Sequence, residues 1–167
     1  MTPTSKPNAL SWLWLSAAVI ALDQATKQWV LAALEPYMPH AVIPGLLNWT
    51  LAFNTGAAFS FLADAAGWQR WFFVALAVLV SGVLAVWLAR TGRRDWRTAL
   101  PLALVVGGAL GNLIDRLRLG HVVDFVQVYW RQWAFPAFNV ADSAISVGAV
   151  LLIAFGLFGG KATQAGR

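Results

Sequence analysis

Four apolar runs, each near the ~20 residues that a helix needs to cross a hydrocarbon core of about 30 Å, take up most of this 167-residue chain. The cleanest, Trp71 to Ala89, carries no charge and is followed at once by Arg90, Arg93, Arg94 and Arg97. Another goes from Thr98 to Ile114 and stops at Asp115–Arg116, and a last one from Asn139 to Phe158 precedes Gly159–Gly160–Lys161. The first, Leu10 to Leu34, is interrupted by Asp23 and Lys27. The expected fold is therefore an all-α integral membrane protein, a single membrane domain over 1–167 with four transmembrane helices at approximately 10–34, 71–89, 98–114 and 139–158. Composition agrees, with 59% hydrophobic and 11% charged residues where a soluble domain has about one-quarter charged. Soluble and disordered classes are excluded. Ten Trp supply rings that collect at membrane–water interfaces. The lack of Cys removes disulfides, iron–sulfur clusters, thiolate zinc sites and a cysteine nucleophile.

The net charge of +5 does not point to nucleic acid, because the basic residues sit at the ends of apolar runs, where they set topology. No nucleic-acid partner is expected. Lys6 before an apolar stretch with small residues near Ala21 resembles a secretory signal, but the apolar sequence resumes at Trp29-Val-Leu-Ala-Ala-Leu, which favours an uncleaved span. Four spans put both termini on one side, and the Arg-rich 90–97 loop makes that side cytoplasmic. Lys6, Lys161 and Arg167 agree. The outer side then holds segments 35–70 and 115–138, too long for turns and of the kind that carries function. In the first, Pro44–Gly45 and Asn54–Gly56 punctuate a β-leaning Leu-Leu-Asn-Trp-Thr-Leu, which predicts a short strand or hairpin lying on the membrane. Phe59 to Trp68 is short enough for one interfacial helix.

Ionisable groups at membrane depth are costly, so the placement of the seven acids is informative. Counted from Ser11 at ~1.5 Å per residue, Asp23 lies roughly 18 Å into a core of about 30 Å, in the outer half. Asp115 ends the third span, Asp142 opens the fourth, and Asp124 lies in the outer loop between them. Each has an ordinary structural reading. Asp23 and Lys27 are spaced as a helix-face ion pair. Asn139-Val-Ala-Asp142 fits a capping box. Asp115–Arg116 could snorkel at a helix end, and Asp124 could be solvated. Val122-Val123-Asp124-Phe125 argues otherwise, since apolar flanks on both sides suit a site at the lipid boundary better than a solvated loop.

Gly107-Gly-Ala-Leu-Gly-Asn-Leu-Ile-Asp-Arg116 sets small residues four apart, which lets helices approach closely, and Asn112 and Arg116 continue the Gly108 stripe toward the acids. Neither His40 nor His121 falls near a Gly-x-Ser-x-Gly elbow, and there is no His-Glu-x-x-His helix. Four acids could bind a metal, although no Asp-x-Asp spacing demands it. Two close carboxylates sharing a proton form an acid and base around one water, which suits peptide hydrolysis without a cofactor. A proton-coupled transporter is the other class, but its acids would lie deeper.

Five motifs then resemble one family in order: Asp23-Gln-Ala-Thr-Lys27, Phe53-Asn-Thr-Gly-Ala-Ala-Phe-Ser60, Gly107 to Arg116, Gly120-His-Val-Val-Asp-Phe125 and Phe135-Pro-Ala-Phe-Asn-Val-Ala-Asp-Ser143. The chain resembles the bacterial lipoprotein signal peptidases (signal peptidase II). The resemblance implies a four-helix membrane bundle with a small periplasmic β-cradle and an interfacial helix. It implies an intramembrane aspartic endopeptidase of the bacterial inner membrane, active near the periplasmic face, that cleaves prolipoproteins before a diacylglyceryl-cysteine. Its expected partners are these substrates and membrane lipids, with no cofactor and no metal. Asp124 and Asp142 match the catalytic pair. Asp23, Asn54, Gly108, Asn112, Arg116 and Asn139 match positions that support the pair or place substrate, and Asp115 matches with a structural role. One proton is expected to be shared by the pair, with either carboxylate as its holder.

Overall fold

The computed structural model describes residues 8–56 and 67–158. A 3-10 turn, Ala9–Trp12, leads into α1 (Leu13–Ala33), and strands β1 (His40–Ile43) and β2 (Leu47–Asn54) follow. Helices α2 (Trp68–Arg90) and α3 (Trp96–Arg118) come next, then strands β3 (Val122–Trp130) and β4 (Trp133–Ala134) and finally α4 (Val140–Phe158). With the turn before α1 included, all four helices are long and apolar enough to cross a membrane. The interfacial helix expected over Phe59 to Trp68 lies at 59–66 outside the described residues, and Trp68 itself opens α2.

Helix α3 is the hub. Its apolar window is 67% buried, against at most 22% in the other three helices. Small residues let the others close on it. A Cβ on Gly107 would stand 2.8 Å from Val19 of α1, and one on Gly148 of α4 would stand 2.7 Å from Val105. Ser16 donates its hydroxyl to the Ala103 carbonyl at 2.7 Å, satisfying a buried polar group across the α1–α3 contact.

The third span runs further than the Asp115 boundary predicts. Helix α3 continues to Arg118, so Asp115 is a turn inside it and only 3% exposed. The reason is charge pairing across the α1–α3 contact: Lys27 Nζ lies 2.8 Å from Asp115, so the acid does not have to leave the bundle to be solvated. Likewise Gln69 and Arg70 belong to α2 rather than to the segment before it.

Where a short hairpin was expected there is a four-stranded antiparallel sheet in the order β1-β2-β3-β4. Asp124, expected in a loop, is on β3 and pairs with Ala52 of β2. Side chains alternate between the faces of a strand. Val123 and Phe125 therefore point one way, onto Val30 of α1 and Leu51, and form a buried core under the sheet. Val122 and Asp124 point the other way, into a groove.

Candidate active site

The groove measures about 940 Å³ and is walled by Phe53, Phe73, Leu76 and Phe138, with Asp124 and Asp142 both lining it. Two devices bring the acids together. After β4 the chain runs back along β3, where Phe138 and Val126 exchange N–H···O bonds at 2.9 Å, so that Asn139 lands beside Asp124. Asn139 then caps α4. Its Oδ1 accepts the Asp142 N–H at 2.9 Å, and its own N–H donates to Asp142 Oδ2 at 3.3 Å, the reciprocal capping box read from the sequence.

Each carboxylate accepts from a side-chain amide. Asn139 Nδ2 donates to Asp124 Oδ1 at 2.7 Å, and Asn112 Nδ2 donates to Asp142 Oδ1 at 2.7 Å. Asn54, at the end of β2, donates to Asp124 Oδ2 at 3.1 Å. The other N–H of Asn139 is shared between the Val123 carbonyl and Asn112 Oδ1, each at 3.2 Å, so the two amides brace one another. Burial, and after it the charge of Asp142, push the Asp124 carboxyl up from its ordinary range to about 7. The bonds from Asn54 and Asn139 and the positive charge of Lys27 oppose that rise. A carboxyl there holds its proton near neutrality beside a second carboxylate, an acid–base arrangement around one reacting molecule.

Asp23, Asn112 and Asn139 are buried beneath the pair. Asp23 Oδ1 accepts the Ala141 N–H at 2.9 Å, holding the first turn of α4, and its Oδ2 lies 2.8 Å from Lys27 Nζ. The i,i+4 pair expected from the sequence is thus present, but Lys27 does more than pair. It also bonds Asp115 Oδ2 at 2.8 Å and Asn112 Oδ1 at 2.9 Å. Asp115 in turn accepts the Val123 N–H at 3.1 Å and Gln24 Nε2 at 2.8 Å. The sequence places Lys27 only in a helix-face pair with Asp23 and assigns Gln24 no role. The available signal was the i,i+3 spacing of Asn112 and Asp115, which gives α3 one polar stripe for α1 to meet.

Gly108 does not touch the acids. A Cβ there would run into the Ala141 carbonyl, so its smallness lets α4 seat its first turn on α3. Arg116 donates to the Gly56 carbonyl at 3.0 Å and lies over the Phe73 ring at 4.9 Å, fixing the chain after Asn54 against the groove wall. Of the apolar flanks of Asp124, Val123 and Phe125 are in the core beneath the sheet, and Val122 lines the groove together with Phe138. Phe59 lies outside the described residues.

Four membrane-length helices closing around two amide-braced carboxylates define a polytopic membrane protein with a paired-aspartate centre. Residues 15–158 match the model of the family described as signal peptidase (SPase) II, and the chain belongs to that family. It is 59% identical to the lipoprotein signal peptidase of Xanthomonas campestris pv. campestris (strain 8004), over 98% of each chain. It is 58% identical to that of Xylella fastidiosa (strain M12), over 96% of each. Its fold is similar to a solved structure described as a bacterial membrane enzyme at 2.3 Å, with a TM-score of 0.78 and 28% identity over 97% of this chain and 96% of that one. A second such structure, at 1.9 Å, gives a TM-score of 0.73 and 29% identity over 95% and 97%.

Proposed function

We propose that Asp124 and Asp142 are the catalytic pair of this enzyme. As a signal peptidase II the protein is an aspartic protease, and it removes signal peptides from prolipoproteins. The observation that carries the assignment is the convergence of the two carboxylates on one groove over Asn112 and Asn139.

Asp124 holds the shared proton and donates a hydrogen bond to the scissile carbonyl, while Asp142 takes a proton from the attacking water. The water oxygen bonds to the carbonyl carbon, giving a tetrahedral intermediate whose oxygen is stabilised from Asp124. Asp142 then passes the proton it took from water to the leaving nitrogen, the C–N bond breaks, and the new amine and acid depart with Asp142 again an anion and Asp124 still protonated. Water is the only co-reactant. Asn54, Asn112 and Asn139 hold the carboxylates in place, Asp23 and Gly108 seat the helix that carries Asp142, and Arg116 fixes the loop after Asn54.

The groove receives the bond before a diacylglyceryl-cysteine. Each CH₂ buried in the bilayer contributes about 0.8 kcal/mol, so two acyl chains hold that residue at the depth of the pair, and Val122 and Phe138 supply apolar contact. In this reading the chain is one membrane domain of the bacterial inner membrane with both termini cytoplasmic. The sheet is a periplasmic cradle, and membrane lipid is the second partner. The test is incubation of the purified protein with a lipidated precursor and with the same precursor unmodified. The shorter product forms from the first and far more slowly from the second. Equal rates would remove the lipid from recognition.

A further inference from the structure

Lys27 is buried, 1% exposed, and lies one residue away from the pair rather than against it. An ammonium has three N–H donors and accepts nothing. All three are used, on Asp23 Oδ2 at 2.8 Å, Asp115 Oδ2 at 2.8 Å and Asn112 Oδ1 at 2.9 Å. The third bond has a directional consequence. Because only the oxygen of the Asn112 amide can face Lys27, and Asn139 Nδ2 donates to that same oxygen, the NH₂ must face the other way, where it meets Asp142 Oδ1 at 2.7 Å. An inverted amide would set NH₂ against two donors and a carbonyl oxygen against a carboxylate, leaving buried groups unsatisfied.

We propose that Lys27 is a positioning residue for the reaction: its ammonium fixes the Asn112 amide so that Asp142 is held as the anion, ready to take the proton from water. The inference rests on Asp124 and Asp142 being the reacting pair. Among the described residues, the charged groups facing that pair are Asp23 and Lys27 from α1 and Arg116 from α3, while Asp115 faces Lys27, Arg116 and His121. Arg116 donates to the backbone carbonyls of Gly56 and Asn112, and Asp23 and Asp115 are themselves anions paired to Lys27, so among the described residues Lys27 is the cation with a route to Asp142 through a side-chain hydrogen bond.

The experiment uses the full chain in detergent with a lipidated precursor and follows kcat and KM against pH. Lys27→Met/Asp115→Asn removes one cation and one anion together, so its buried charge stays balanced, and it is compared with Asp115→Asn alone. The double variant should show the acid limb of kcat displaced upward by about one pH unit or more, with KM little changed. Lys27→Gln/Asp115→Asn, which keeps a donor for Asn112 Oδ1, should recover part of that displacement. Asn112→Leu keeps the Asp23–Lys27–Asp115 triad that supports folding, and should move the limb as far as loss of Lys27 does. Adding Lys27→Met/Asp115→Asn to it should move the limb no further. A double variant whose pH profile matches that of Asp115→Asn would overturn the proposal, as would an Asn112→Leu profile that keeps the parent limb. Asp142→Asn in the same assay separates the two readings, because activity there would reject the pair itself, whereas its loss together with an unmoved limb rejects only the role of Lys27.

Discussion

Asp23 Oδ1 accepts the backbone N–H of Ala141 at 2.9 Å, tying α1 to the first turn of α4 across 118 positions of sequence. The same carboxylate pairs with Lys27, so one side chain both caps the helix that carries Asp142 and balances a buried cation. Asp23→Ala leaves an N–H without its acceptor and strips Lys27 of one of its anions. Removing one partner of a buried pair typically costs about 3–5 kcal/mol. The thermal unfolding midpoint in detergent should fall clearly for Asp23→Ala and stay at the parent value for Glu35→Gln, whose side chain is exposed. Equal midpoints for the two variants would contradict the role assigned to Asp23.

The glycines of α3 and α2 make a paired prediction. A methyl on Gly108 meets the Ala141 carbonyl, a backbone atom that cannot swing aside, whereas one on Gly82 meets nothing within 4 Å. Gly108→Ala should destabilise by about 1–3 kcal/mol through overpacking and lower cleavage with it. Gly82→Ala should be neutral or stabilising by up to about 1 kcal/mol, because Ala is the better helix former. Unfolding midpoints and turnover of the two variants check both halves.

The spans were legible because hydrocarbon thickness imposes a length and composition that any twenty-residue window reveals. The capping box at Asn139–Asp142 was legible because it is local, and Asp124 stood out because two valines and a phenylalanine flank it. Failures share one cause, contact between distant segments. Asp115 read as a helix end because its neutralising partner, Lys27, lies on another helix. Asp124 read as a loop residue because its strand partner, Ala52, belongs to a segment before α2. The Asp23–Lys27 spacing revealed the pair, but the bond from Lys27 to Asn112 spans 85 positions and leaves no local trace.

The Asp124 carboxyl, ordinarily ionised above about pH 4, is pushed up to about 7. It therefore stays protonated through the acid range and loses its proton as pH rises through about 7. Since the mechanism needs that proton on the substrate carbonyl, kcat should decline above this point, approaching tenfold per pH unit on the alkaline side. A rate that stays flat well into the alkaline range would remove Asp124 as the proton holder.

Topology can be read without background labelling, because the chain has no Cys. Arg93 is exposed in the loop between α2 and α3, and Gln132 is exposed in the turn between β3 and β4. Single-cysteine variants in intact cells should react with an impermeant thiol reagent at Gln132 and His40 and not at Arg93. Labelling at Arg93 from outside would reverse the orientation.

If Asp124 and Asp142 together perform the cleavage, turnover of a lipidated precursor must collapse in Asp124→Asn and in Asp142→Asn, each alone. Asn keeps the shape of the side chain but can neither carry the charge nor share the proton, so each variant should lose a factor on the order of 10² or more in rate. Elution and unfolding behaviour close to the parent's would show that the loss is chemical. Parent-level cleavage by either variant would contradict the claim and take that residue out of the mechanism.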